Sequence, residues 1–210
     1  MHYALSIMHS KELAMLNIET HPLGSYQTNC YIVYEDENPD CIVIDPGYEP
    51  DTVLLAIKGI KKNLAAILLT HGHFDHVGAV KDLVAETDCR VYIHENDLSL
   101  PATFTAGPLY YTHTYGEGDI LDIAGISLRV LHTPGHTPGC VCLMCDDNLF
   151  TGDTLFRESC GRTDLPGGDT LQIISSLRRL AALERDYRVL PGHGMESTLE
   201  EERENNPYMQ

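Results

Sequence analysis

Short runs of apolar residues, most of them bounded by glycine, proline or aspartate, recur along the whole chain. Such runs, here rich in Ile, Val, Leu and Cys, are typical of buried β-strands. They predict strands at residues 29–34, 41–45, 65–70, 90–94, 127–132, 140–145, 149–151 and 188–190. Apolar residues at the spacing of a helix face predict helices at residues 51–60, 77–86, 170–183 and 197–205.

The order of these elements is strands first, and then strands that alternate with helices. Many strands are apolar at nearly every position, which is typical of sheets covered on both faces. The pattern therefore predicts an α/β fold in which two stacked sheets are flanked by helices. Because no repeat or flexible linker interrupts the chain, we expect one domain at residues 16–210 after an extension at residues 1–15. Residues 101–118 lack clear periodicity and predict a long loop, which is often functional.

The net charge of −17 narrows the set of partners. Nucleic acids and anionic membrane surfaces need basic protein surfaces, so we expect neither, and we expect a small-molecule substrate instead. No run approaches the ~18 apolar residues of a membrane span, and the first residues lack a secretory signal. The seven cysteines lie mostly in or beside apolar runs. Reduced, buried thiols of this kind favour a cytoplasmic location.

The run from Thr70 to His76 carries the strongest chemical signal, because four of its seven residues can bind metal. An apolar strand leads into it, and Gly72 allows tight backbone geometry between two of the histidines. The packing of a protein core does not explain an HxHxDH pattern, whereas metal binding does.

Three further candidate ligands each follow an apolar strand and lie beside a glycine. The full candidate set is His71, His73, Asp75, His76, His136, Asp153 and His193. Strand ends that meet at one edge of a sheet would bring such side chains together. Seven ligands exceed the four of a tetrahedral ion, so the set predicts two divalent ions that share one carboxylate. Imidazole and carboxylate ligands suit Zn²⁺, with iron and manganese as alternatives.

These motifs resemble the metallo-β-lactamase superfamily over about residues 16–209: HxHxDH at 71–76, a glycine-flanked His136, Gly-Asp at 152–153 and Gly-His at 192–193. The resemblance is closest to the short, single-domain glyoxalase II-like hydrolases. It is carried there by GDTLF at 152–156, SCGR at 159–162, GRTDLPGGD at 161–169 and LPGHG at 190–194. The resemblance implies an αββα sandwich, the metallo-β-lactamase fold, with the metal site at one edge of the two sheets.

The resemblance also implies a division of labour among the ligands. His71, His73 and His136 would hold one metal ion, and Asp75, His76 and His193 would hold the second. Asp153 would bridge the two ions. Asp45, at the end of a strand, would brace the site from behind the ligands; the alternative is a plain turn residue before proline.

The chemistry that the resemblance implies is hydrolysis of a thioester such as S-D-lactoylglutathione. A hydroxide that bridges the metals would attack the acyl carbonyl, and Asp75 would hydrogen-bond the attacking water or accept its proton. Arg162 matches a lysine that contacts glutathione in longer members of the group. Its guanidinium could bind a substrate carboxylate, or it could form an internal ion pair with Asp164 or Asp169.

Two departures put the preference for glutathione in doubt. The longer enzymes carry an additional helical domain, which we expect to be absent because the chain ends at Gln210. Asp164 also stands where those enzymes have a substrate-contacting tyrosine.

A persulfide dioxygenase is the main alternative, with one iron held by His71, His136 and Asp153, although LPGG at 165–168 favours a hydrolase. The acidic charge disfavours a nuclease. The complete ligand set disfavours a non-catalytic member, and the lack of a secretion signal disfavours a lactamase.

Overall fold

The computed structural model describes residues 15–105 and 107–210. Apart from Met15, the extension expected at residues 1–15 lies outside the described residues. The described chain forms two six-stranded sheets, a two-stranded hairpin and five α-helices.

The first sheet contains the first six strands in chain order. They are β1 (Leu16–Leu23), β2 (Thr28–Glu35), β3 (Asp40–Ile44), β4 (Asn63–Leu68), β5 (Arg90–His94) and β6 (His113–Tyr115). The pairs β1–β2 and β2–β3 are antiparallel, and the pairs from β3 to β6 are parallel. The carboxyl ends of β3, β4 and β5 therefore lie at the same edge of this sheet.

The second sheet is mostly antiparallel. Its strands are β7 (Ile120–Ile123), β8 (Ile126–His132), β9 (Val141–Cys145), β10 (Asn148–Gly152), β13 (Arg188–Pro191) and β14 (Ser197–Thr198). The separate hairpin, β11 (Leu155–Phe156) and β12 (Ser159–Cys160), lies between β10 and β13 in the chain. The order is β14-β13-β10-β9-β8-β7, and only β10–β13 is parallel.

Helices cover the outer face of each sheet. They are α1 (Pro50–Gly59), α2 (Phe74–Val77), α3 (Val80–Thr87), α4 (Thr170–Ala181) and α5 (Leu199–Asn205). Helices α1 and α3 pack on the first sheet through Val53 and Leu83, and α4 and α5 pack on the second through Leu177 and Leu199. Between the sheets lies a third apolar cluster that includes Phe150. The predicted αββα sandwich is confirmed.

Strand β2 shows how the sequence produces this layering. Alternate residues of a strand point to opposite faces of a sheet. Tyr31 and Val33 accordingly face the second sheet, while Cys30 and Ile32 face the helices. All four side chains are buried, which explains why this strand is apolar on both faces.

Several predicted element boundaries were wrong. The helix predicted at residues 77–86 is two helices, α2 and α3, and the first of them begins at Phe74, inside the ligand run. Gly78 and Ala79 separate them, and an added Cβ at Gly78 would lie 2.2 Å from the carbonyl oxygen of Gly47. Helix α5 begins later than predicted because Thr198 caps it in a capping box with Glu201.

The pattern also missed several short strands. Strand β6 lies in the stretch expected to be a loop, and β1 is a half-exposed edge strand without a clear apolar run. All seven cysteines are free thiols, as predicted. None of the helices in the described part of the chain is long and apolar enough to cross a membrane.

Candidate metal centre

The ends of strands from both sheets meet at one edge of the sandwich and carry all seven candidate ligands. His71 and His73 follow β4, Asp75 and His76 belong to α2, His136 lies between β8 and β9, Asp153 follows β10 and His193 follows β13. The first six are buried, and the His193 side chain is 27% exposed. The structure thus brings together every ligand predicted from the sequence.

The first half of the centre consists of His71, His73 and His136, which can place one ligand atom each within 4.8 Å of the others. His73 Nδ1 lies 2.8 Å from His136 Nε2. The Nε2 atom of His71 is buried without a hydrogen-bond partner among the described residues. Buried nitrogens are rarely left in this state, so the donor set fits a metal ion.

The second half consists of Asp75, His76 and His193, which form an independent cluster of the same kind. His193 Nε2 lies 3.3 Å from His76 Nε2 and 3.2 Å from Asp75 Oδ2. Ligand atoms around one tetrahedral zinc lie about 3.3 Å apart, given zinc–nitrogen bonds of about 2.0 Å. These spacings fit a second ion.

Asp153 lies between the two halves. Its Oδ2 is 3.4 Å from His136 Nε2 in the first half, and its Oδ1 is 3.3 Å from His76 Nε2 in the second. This carboxylate is therefore placed where it could contact two ions at once, as expected for a bridging ligand.

The two halves differ in the protonation of their histidines. Burial, together with the charge of His76, holds the pKa of His71 well below its usual value. Burial and the charge of His136 lower the pKa of His73 to about 4. Imidazoles of this kind are neutral near pH 7 and can accept a metal without losing a proton.

In the second half, carboxylates raise the pKa values of the histidines instead. Burial alone would lower the pKa of His76, but the charges of Asp153 and Asp45 outweigh it and raise that pKa well above the usual value. Burial also acts against the charged form of His193, but its hydrogen bond to Asp75 raises the pKa of His193. A metal ion in this half must therefore compete with protons.

Asp45 lies directly behind the ligands. Its Oδ1 accepts the Thr70 backbone N–H at 2.7 Å, and its Oδ2 accepts the Thr70 hydroxyl at 2.6 Å. The same Oδ2 is 2.9 Å from His76 Nδ1, which leaves Nε2 of that ring directed at the second half. Asp45 and His71 also lie close enough to group with His76. Because both oxygens of Asp45 already accept bonds from Thr70, its geometry fits the predicted bracing role better than that of a ligand.

Asp97 supports the candidate site but was not predicted from the sequence. This fully buried carboxylate lies in a short 3₁₀ helix, Glu95–Ser99. It accepts the N–H groups of Gly72 at 2.7 Å and Gly139 at 2.6 Å and the hydroxyl of Thr137 at 2.9 Å. It therefore joins the loop of His71 and His73 to the loop of His136. Burial raises its pKa against the effect of these bonds. The sequence did offer one indication of this role, because Asp97, like Asp45, closely follows a buried strand of the first sheet.

A different contact holds the loop of His193. Strand β2 of the first sheet reaches across to it, because Asn29 Nδ2 donates to the carbonyls of Pro191 and Gly194 at 3.0 Å each. The Tyr31 hydroxyl donates to the Pro191 carbonyl at 2.6 Å. Only glycine fits at residue 192, where an added Cβ would lie 2.3 Å from Asp153 Oδ1.

A groove of about 300 Å³ opens from the centre to solvent. Its wall contains the rings of Tyr26 and Phe74, which meet edge to face at 5.4 Å, and the ring of Phe104. Arg162 also lines the groove, but its guanidinium donates two hydrogen bonds of 2.7 Å to Asp164. Of the two acidic partners expected for Arg162, Asp164 forms the ion pair, while Asp169 caps α4.

Comparisons with known proteins agree with this fold and site. The model of the metallo-β-lactamase superfamily matches residues 23–193. The chain belongs to this superfamily.

Individual relatives are similar over nearly the full chain. Hydroxyacylglutathione hydrolase GloC of Haemophilus influenzae is 36% identical, covering 92% of this chain and 98% of that protein. Among solved structures, TTHA1623 in a di-iron-bound form is 40% identical with a TM-score of 0.81, covering 90% of this chain and 99% of that one. The BLEG-1 B3 metallo-β-lactamase is 34% identical with a TM-score of 0.84, covering 92% of this chain and 100% of that one. The chain is thus a metallo-hydrolase superfamily member with a glyoxalase II-like relative.

Proposed function

We propose that this protein is a binuclear metal-dependent hydrolase of thioesters such as S-D-lactoylglutathione. The observation that carries the proposal is the pair of ligand clusters joined by Asp153, whose oxygens lie 3.4 Å from His136 and 3.3 Å from His76. A single-metal site would need only one of the two clusters. The similarity to GloC supports a glutathione thioester as the substrate.

The nitrogens and carboxylates of the two halves fit two divalent ions. His71, His73 and His136 would hold one ion, Asp75, His76 and His193 would hold the other, and Asp153 would contact both. Such ions lower the pKa of a coordinated water to near neutrality and polarise a carbonyl. We propose Zn²⁺, because imidazole and carboxylate ligands suit it. Iron stands as the alternative, which the similarity to di-iron TTHA1623 supports.

The protein's own residues would then position the substrate and handle the proton. The Asp75 carboxylate lines the groove with 12% of its side chain exposed, so it could accept a proton or a hydrogen bond from an attacking water. The aromatic wall of Tyr26, Phe74 and Phe104 would shield one side of a bound substrate from water. Because a thiolate is a good leaving group, the groove needs no strong acid.

Arg162 is proposed to contact a carboxylate of the substrate. Its planar guanidinium already holds the carboxylate of Asp164 in two hydrogen bonds, which is the geometry that a substrate carboxylate would adopt. Both side chains are more than half exposed, so exchange of one carboxylate for another costs little. Asp164→Asn should therefore improve the binding of an anionic substrate.

A substrate screen tests the proposal. The purified, zinc-loaded protein is assayed on S-D-lactoylglutathione, on coenzyme A and N-acetylcysteamine thioesters, and on a β-lactam. We expect thioester hydrolysis above β-lactam hydrolysis, with the glutathione thioester preferred. Hydrolysis of the β-lactam alone, or of none of these substrates, would overturn the proposal.

The setting in which the enzyme acts is part of the same proposal. The net charge of −17 supports a small-molecule substrate rather than nucleic acid or a membrane surface. The free, mostly buried cysteines support the cytoplasm as the location.

A further inference from the structure

A second cavity, of about 610 Å³, adjoins the metal centre on the side of His193. It is lined by Phe156, Arg157, Glu158, His193, Gly194 and Met195. The Phe156 and His193 rings lie 6.1 Å apart, edge to face. Because His193 lines both this cavity and the groove over the ligands, one elongated molecule could occupy both spaces.

The two charged residues of this cavity stand side by side at the tip of the hairpin formed by β11 and β12. Arg157 and Glu158 are both exposed, and neither belongs to the ligand set. Ion pairs among arginines of the described residues engage Arg162, Arg179, Arg185 and Arg188, and none of them engages Arg157. The Arg157 guanidinium therefore stands beside the candidate centre without a carboxylate partner among the described residues, and it can receive a carboxylate from a ligand.

The hairpin tip is held rigidly from behind. The Glu158 N–H donates to Oε2 of the buried Glu202 at 2.8 Å. Asn206 Nδ2 donates to the carbonyl of Phe156 at 3.3 Å and to that of Ser159 at 2.9 Å. These bonds fix a turn in which Glu158 has a left-handed backbone, with φ of 54°. A fixed turn presents its two charges without the entropic cost of ordering a loop.

We infer that Arg157 and Glu158 bind the zwitterionic end of the substrate, in which an α-carboxylate and an α-ammonium group share one carbon. Adjacent opposite charges on the protein match that group, whereas a purely anionic tail such as the phosphates of coenzyme A would meet repulsion from Glu158. The γ-glutamyl end of glutathione has this chemistry. The inference rests on the proposed function in taking a glutathione thioester as the substrate.

The experiment measures binding of the uncleavable thioether S-methylglutathione to the zinc-loaded protein by calorimetry. Three analogues accompany it: one lacks the glutamyl α-ammonium, one lacks the glutamyl α-carboxylate, and one carries a C-terminal amide in place of the glycyl carboxylate. The variants are Arg157→Ala and Glu158→Gln. Their controls, Arg178→Ala and Glu184→Gln, alter exposed charges on and just beyond α4.

We expect Arg157→Ala to weaken binding of S-methylglutathione about five- to tenfold, with no effect on the analogue that lacks the α-carboxylate. Glu158→Gln should weaken binding about two- to fivefold, with no effect on the analogue that lacks the α-ammonium. The controls should leave all affinities unchanged.

Equal losses for every analogue, or a loss that follows the glycyl carboxylate, would overturn the inference. So would an Arg157→Ala variant that behaves like Arg178→Ala. Hydrolysis of the N-acetylcysteamine thioester, which lacks both charges, is measured for each variant. If that activity is present but the affinity losses do not follow the α-carboxylate and the α-ammonium, the hydrolase proposal stands and only the assignment of this cavity is wrong.

Discussion

The two halves of the candidate metal centre are built differently. The half of His71, His73 and His136 is buried and contains no carboxylate of its own, and the pKa values of His71 and His73 are lowered. The half of Asp75, His76 and His193 contains a carboxylate, is partly exposed and has histidines whose pKa values are raised. We therefore expect the first half to hold a metal ion more firmly than the second, whose His193 is open to solvent.

The supports of the two halves differ as well. Asp97 ties together the two loops of the first half within one buried hydrogen-bonded unit. The His193 loop of the second half depends on Asn29 and Tyr31, which reach it from the opposite sheet. Both supports join the two sheets, but the first half relies on a single buried carboxylate, whereas the His193 loop relies on two side chains.

Removal of the shared ligand should have the largest effect, because it damages both halves at once. We expect Asp153→Ala to lower thioester turnover at least about a thousandfold, the loss of several kcal/mol of transition-state stabilisation. The metal content measured by mass spectrometry should fall in parallel. His73→Ala should be nearly as severe, since the first half would lose a ligand. Unchanged turnover in either variant would refute the two-metal assignment.

A smaller loss should follow from Gly192→Ala, which damages the junction between Asp153 and the second half. The added methyl would lie 2.3 Å from Asp153 Oδ1 and 2.7 Å from His76 Cε1. We expect turnover to fall about 10–100-fold, with the second ion lost and the first retained. Gly59→Ala is the control, because nothing lies within 4 Å of its added Cβ. Equal metal contents in the two variants would contradict the packing argument.

Asp97→Asn should weaken the support of the first half. One oxygen of Asp97 accepts from Gly139, and the other accepts from Gly72 and Thr137. The amide has the same size, but its NH₂ group cannot accept a hydrogen bond, so one of these two positions loses its acceptor. We expect metal affinity of the first half to fall about 10–100-fold and stability to fall by about 1–3 kcal/mol. Denaturant unfolding and a competing chelator measure these quantities. Asp82→Asn, on the exposed face of α3, should change neither.

In the protein without mutations, the two halves should lose their metal ions at different pH values as the solution is acidified. Histidines with raised pKa values stay protonated to higher pH and so compete with the metal sooner as pH falls. Those with lowered values, such as His73 with a pKa of about 4, do not compete until much lower pH. Between about pH 8 and about pH 6, dialysis should therefore remove the second ion first. Simultaneous loss of both ions over this range would contradict the difference between the halves.

The convergence of the seven candidate ligands at one edge could be predicted from the sequence because each lies at or shortly after the end of an apolar strand, near a glycine. The αββα layering also followed from strands such as β2, which is apolar on both faces. The supports of the halves were harder to predict. Asp97 lies in a polar segment, and its partners Gly72 and Gly139 are far apart in the chain, so only the folded structure shows that it joins two loops. The hairpin that carries Arg157 was missed because its strands, β11 and β12, have two residues each.

The central claim is that thioester hydrolysis requires both halves, and a metal titration tests it most directly. Metal-free protein is titrated with Zn²⁺ while bound metal is counted by mass spectrometry and hydrolysis of the best thioester of the screen is followed. We expect little turnover after the first equivalent and full turnover at about two ions per chain. Full activity at one ion would contradict this claim. A protein that holds one iron, consumes oxygen with glutathione persulfide and hydrolyses no thioester would contradict it as well.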